Sequence, residues 1–206
     1  MAHDVSFSLE TTVDVWQFSL PAFCENTIPF ITKWLTHLEE IWFKRDLPAI
    51  QQLHTEDQLQ VDALLYHALQ QLAQATPLPM QFLTDNIIQK SSHTPLSLRD
   101  YAEAFIMDQL ATLLQYNYQA PFGYMKTAHY MYAWGDTSYR PKNAWFAHYD
   151  KGASVTFIPQ QPVNGIKHVT VCYHTVLEAL IQAKQHIYLK KPCSFALATT
   201  THVAKI

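Results

Sequence analysis

The chain has 206 residues with a mass of 23.7 kDa, which suits one sizeable domain, and we expect a single α+β domain over 1–206. Hydrophobic residues make up 49% and charged residues 15%, which excludes a disordered, highly charged chain, and no apolar run approaches the about 20 residues of a membrane span. The net charge of −3 lacks the overall basic footprint usual for nucleic-acid binders, while the start Met1-Ala-His-Asp-Val-Ser and three cysteines point to a reducing, cytoplasmic setting.

Val5, Phe7 and Leu9, then Val13 and Val15, alternate with polar residues and predict one or two strands in 5–18. All four glycines, Gly123, Gly135, Gly152 and Gly165, lie beyond residue 122. A glycine-free stretch rich in Leu, Gln, Ala and Glu favours helix, so 19–115 reads as helical and 116–206 as sheet-rich. Asn26 or Thr27 can cap a helix with Pro29 in its first turn, followed by an apolar stripe of Ile31, Trp34, Leu35, Leu38, Ile41 and Trp42. Pro48 opens the next helical piece. Thr55 with Gln58 has the form of a capping box ahead of Leu59, Ala63, Tyr66, Leu69 and Leu72, and Thr76-Pro77-Leu78-Pro79 ends that run. A short helix is predicted over 80–90, and Ser97 with Asp100 opens another that carries Leu98, Tyr101, Phe105, Leu110 and Leu113.

From Tyr116 the chain turns aromatic. Runs at 144–149 and 154–158 flank Asp150-Lys151-Gly152 and read as a hairpin, 167–173 as a strand, 175–186 as a helix and 194–203 as a last strand. The fold class is therefore α+β: N-terminal strands, a cluster of four or five helices, then a small, mostly antiparallel sheet with one late helix.

Charge divides unevenly, with 14 acidic against 5 basic residues in 1–110 and 3 against 9 in 111–206. The later half thus offers Lys126, Arg140, Lys142, Lys151 and Lys167 among aromatic rings. Tyr130, Tyr132, Trp134, Tyr139, Arg140, Lys142, Trp145 and Lys151 form a candidate surface for another protein, or for nucleic acid or another anionic ligand.

The residues 168–174 read His-Val-Thr-Val-Cys-Tyr-His, and a period of two sends His168, Thr170, Cys172 and His174 to one face, with Glu178 about one helical turn beyond His174. These five residues are the candidate catalytic set, because imidazole and carboxylate at that spacing can share a proton or a ligand. His168-Val-Thr170 resembles one copy of the paired His-x-Thr/Ser motif of two-histidine phosphoesterases, but the second copy is absent, since His202-Val-Ala204 lacks the hydroxyl. His148-Tyr-Asp150 has the His-x-Asp spacing of a facial metal triad, with His202 as a third ligand. Cys24 ahead of a helix is similar in order to the nucleophile of papain-like hydrolases, yet lacks that family's flanking residues.

No constellation is complete in the sequence. The expectation is therefore a non-enzymatic interaction protein, an adaptor, inhibitor, immunity or accessory subunit without a cofactor, binding through the aromatic and basic later half. The alternative is a hydrolase of phosphodiester or Cys/His type, or a metal-dependent enzyme, with its site around 168–178.

Overall fold

The N-terminal alternation folds as a hairpin. In the computed structural model, which describes residues 4–92, 98–135, 151–157 and 169–189, β1 (Asp4–Glu10) and β2 (Val15–Pro21) pair antiparallel over seven residues, from Asp4 opposite Pro21 to Glu10 opposite Val15. The face sent to the core is that of Trp16, Phe18 and Leu20, while Val15 is exposed. The aromatic row, with Phe7 stacked on Phe18 at 4.7 Å between centroids, outweighs a register that would bury Val13 and Val15, because each large buried side chain contributes roughly 1.5–3 kcal/mol.

The described residues fall into two compact units, the first within 1–10, 14–28 and 106–206, the second within 11–13 and 29–105. The first unit is built on a six-stranded antiparallel sheet of order β1-β2-β6-β7-β8-β9, completed by β6 (Gly123–Lys126), β7 (Tyr130–Trp134), β8 (Lys151–Phe157) and β9 (Val169–Tyr173). Lys151 and Gly152, expected in a turn, are strand residues opposite Trp134 and Ala133, so β8 pairs with β7. The expected strand at 144–149, the last strand at 194–203 and the cap at Ser97 lie outside the described residues.

The second unit holds the early helices: α1 (Ile28–Leu38) from Pro29 onward, a wide π-helical stretch Glu39–Asp46, α2 (Leu47–Gln52), α3 (Ala63–Ala75) and the first half of α4 (Arg99–Thr112). Ile31, Leu35, Leu38 and Trp42 are buried as their spacing predicts. Trp42 is the anchor: its Nε1 donates to Asp62 Oδ1 at 3.0 Å and its ring lies 6.1 Å from that of Phe105. Asp62 is also the cap of α3, accepting the N–H groups of Leu64 and Leu65. Thr55 and Gln58 therefore form no capping box. Gln58 lies in β3 (Gln58–Gln60), and Glu56 adopts φ 73° in a tight loop that bonds to Lys90 through both backbone groups of that lysine.

The helix expected over 80–90 is instead β4 (Met80–Phe82) and β5 (Ile87–Lys90), which join β3 in a sheet of order β3-β5-β4. Asp85 and Asn86, at φ 58° and 59°, make the turn of the primed kind that matches strand twist. Their short polar side chains tolerate the left-handed region without glycine. Among the described residues no helix is long and apolar enough to cross a membrane.

Candidate functional site

In the first unit β9 hands the chain to α5 (Val176–Leu189) through His174 and Thr175. Val169 and Val171 are fully buried, Thr170 and Cys172 are half-buried, and His174 is exposed. Thr175 starts the helix as a local cap. Its Oγ1 accepts the N–H of Glu178 at 3.2 Å and donates to Glu178 Oε2 at 2.9 Å, and its carbonyl accepts the N–H of Ala179 at 3.1 Å.

The two N–H groups left over are taken from a distance. Val176 N donates to Asp108 Oδ1 at 2.7 Å and Leu177 N to Asp108 Oδ2 at 2.9 Å. Asp108 lies on α4, whose surrounding Ile106, Met107, Leu110 and Ala111 are all buried. Desolvation pushes its carboxyl up to about 7; the two N–H bonds oppose that shift, and the like charge of Glu178 adds to it. Beside it, Tyr132 of β7 is held above the ordinary phenol range by burial, against a side-chain hydrogen bond with Gln115 and with smaller contributions from Asp108 and Tyr116. Gln115 and Tyr116 ride on the π turn Leu113–Asn117 that ends α4, a widened turn of the sort that often re-aims side chains at functional places.

A part-buried carboxyl that titrates near neutrality next to a second carboxylate is suited to proton transfer at pH 7. Cys172 is not suited to nucleophilic attack, since desolvation pushes its thiol up to about 11 and keeps it protonated. Cys24 is buried and raised for the same reason. Among the described residues no group of three or more His, Cys, Asp or Glu gathers around a metal position. The described part of the junction also offers no cradle for a phosphate: its charged groups are carboxylates, and the first N–H groups of α5 are already bonded to Asp108 and Thr175.

Of the catalytic set, Glu178 is bonded to Thr175 and His174 is the exposed residue before it, Thr170 and Cys172 lie along β9, and His168 lies outside the described residues. His148, Asp150 and His202, read as a metal triad, are also outside them. Asp108, Tyr132 and Gln115 as members of the site were missed. An acid set between the apolar run Ala104-Phe105-Ile106-Met107 and Leu110-Ala111 is the signal that marks Asp108 in the sequence.

The expected aromatic surface is corrected. Tyr130, Tyr132 and Trp134 are 4%, 5% and 3% exposed, because β7 is an interior strand paired on both edges and its period-two rings point into the core. Tyr139, Arg140, Lys142 and Trp145 lie outside the described residues, and Lys151 is the β8 residue opposite Trp134.

No protein-family model matches the chain, and no curated protein is similar to it in sequence. Solved structures do match its fold. The flavin transferase ApbE of Vibrio cholerae is 11% identical with a TM-score of 0.67, over 89% of this chain and 86% of that one. The apo flavinyl transferase ApbE of Pseudomonas stutzeri is 13% identical with a TM-score of 0.64, over 91% and 86%. The ApbE protein of Thermotoga maritima is 10% identical with a TM-score of 0.65, over 91% and 87%. These matches overturn the expectation of a non-enzymatic adaptor or inhibitor gripping a protein or anionic partner, and equally the hydrolase alternative: the chain has the fold of flavin transferases.

Proposed function

We propose that the chain binds a flavin nucleotide and transfers flavin to an acceptor, with the proton-handling groups of the β9–α5 junction beside the flavin and the phosphates of the nucleotide held away from the head of α5, whose first N–H groups are taken. Asp108, Thr175 and Glu178 supply the proton-handling groups there, His174 stands at the rim, and Thr170 lies along the same strand. The observation that carries this reading is the two-way extent of the structural match, which spans 86% or more of both this chain and the flavin transferase of Vibrio cholerae. Because the match runs through both units, it also supports treating 1–206 as one functional domain. The free Cys24 and Cys172 fit a reducing, cytoplasmic setting.

The test is a titration of FAD and of FMN with the full chain, followed by flavin fluorescence, with chromatography of the nucleotides after prolonged incubation. Saturable quenching with a Kd below about 100 μM and slow consumption of FAD are expected. Flavin fluorescence that stays unchanged with the chain in excess, at concentrations up to about 1 mM, overturns the reading.

A further inference from the structure

The six-stranded sheet ends at β1. Among the described residues β1 pairs with β2 alone, along its whole length, so every second residue of β1 turns its N–H and carbonyl away from the sheet. Proteins commonly blunt such an edge with a proline, a bulge, an inward-pointing charge or a very short strand. β1 has none of these: Asp-Val-Ser-Phe-Ser-Leu-Glu runs over seven residues in unbroken register. Its two faces differ. Val5, Phe7 and Leu9 stand opposite Leu20, Phe18 and Trp16, yet they are half-buried where those three are buried, so the apolar layer is left unfinished at this edge. The other face is exposed and carries an acid at each end, Asp4 and Glu10, with the small hydroxyls of Ser6 and Ser8 between them.

We propose that β1 takes up an extended segment of another protein as an added antiparallel strand, with apolar residues at alternate positions of that segment and Lys or Arg at its two ends. The pattern follows from the pairing. Residues directly opposite each other share a face, so cationic ends meet Asp4 and Glu10 while the apolar positions meet Val5, Phe7 and Leu9 and extend the unfinished layer. A second copy of this chain is the competing occupant, and charge decides against it. Two β1 strands paired antiparallel about Phe7 match their apolar residues but set Asp4 against Glu10 at both ends, and like charges directly opposite are destabilising. In the sheet order β1 and β9 are the two edges, five strand spacings of about 4.8 Å apart. The docking edge is therefore separate from the β9–α5 junction and does not depend on the flavin reading.

The test is amide resonance mapping and hydrogen exchange on the isotope-labelled full chain, with two peptides blocked at both termini: Lys-Val-Thr-Val-Thr-Val-Lys, and its counterpart with Glu at both ends. In the free chain alternate amides of β1 should exchange fast, as an unpaired edge requires. The basic-ended peptide should shift β1 resonances and, at four times its Kd, slow those fast amides about fivefold, while amides of the interior strand β7 stay unchanged. The acid-ended peptide should bind at least about tenfold more weakly. In D4K/E10K, which alters only exposed side chains, the order of the two peptides should invert. No shift in β1 at about 1 mM basic peptide, equal affinity for both peptides, or a preference that D4K/E10K does not invert overturns the proposal. Protection of every β1 amide in the free chain also overturns it. The edge is then covered by the chain itself where the protection is independent of protein concentration, and by a second copy where it grows with concentration.

Discussion

Trp134 and Gly123 face each other across β6 and β7, and their fit can be tested by adding one carbon. A Cβ built on Gly123 lies 2.3, 2.4 and 2.9 Å from Cζ2, Cη2 and Cε2 of Trp134, where carbon atoms ordinarily stand about 3.5–4.0 Å apart. The indole must therefore retreat by about an ångström or more, yet it is 3% exposed and its Nε1 donates to the carbonyl of Ala120 at 2.9 Å. Overpacking of this kind costs about 1–3 kcal/mol. Loss of the indole hydrogen bond adds about 1 kcal/mol, and the gain from replacing glycine within a strand offsets about 0.5–1 kcal/mol. We expect G123A to lower stability by about 1–3 kcal/mol in urea denaturation followed by circular dichroism. W134L removes the obstacle, so adding G123A to it should cost nothing or stabilise slightly, a coupling of at least about 1 kcal/mol. Equal cost of G123A in both backgrounds, or no cost in the wild type, refutes the packing described for β7 and with it the argument that its rings belong to the core.

Asp62 Oδ1 accepts from Leu64 N, Leu65 N and Trp42 Nε1, so D62A should lose a helix cap and orphan a buried indole N–H, about 2–4 kcal/mol together in denaturant titration, while D62N retains most of it. Cys172, with its thiol pushed up to about 11, should alkylate with iodoacetamide at pH 8 at least about tenfold more slowly than a free cysteine. Peptide mass spectrometry reads that rate, which should climb as pH approaches the raised value, and modification at the free-thiol rate would contradict the burial of the β9 face.

What the sequence made legible were features whose cause lies within one turn or one strand. The apolar spacing of Ile31, Leu35, Leu38 and Trp42 and the alternation of Val169 and Val171 mark buried faces because a single element presents each set to one core. Thr175 and Glu178 could likewise be placed together, since their bonds span three residues. The strands β3, β4 and β5 are only three or four residues long, too short for a period of two to separate from helical spacing. Their turn uses Asp85 and Asn86 where glycine would have announced it. The rings of β7 failed for a different reason. A Tyr-rich run reads equally as surface or core, and the pairing of β7 with both β6 and β8 decides between them through contacts that no local pattern contains. Asp108 combines both lessons. Its acid among apolar neighbours is visible in the sequence as an anomaly, but its meaning is set by two amides 68 and 69 residues away. A chemistry that depends on such a tie can be suspected from the odd residue and argued only once the partner helix is in view.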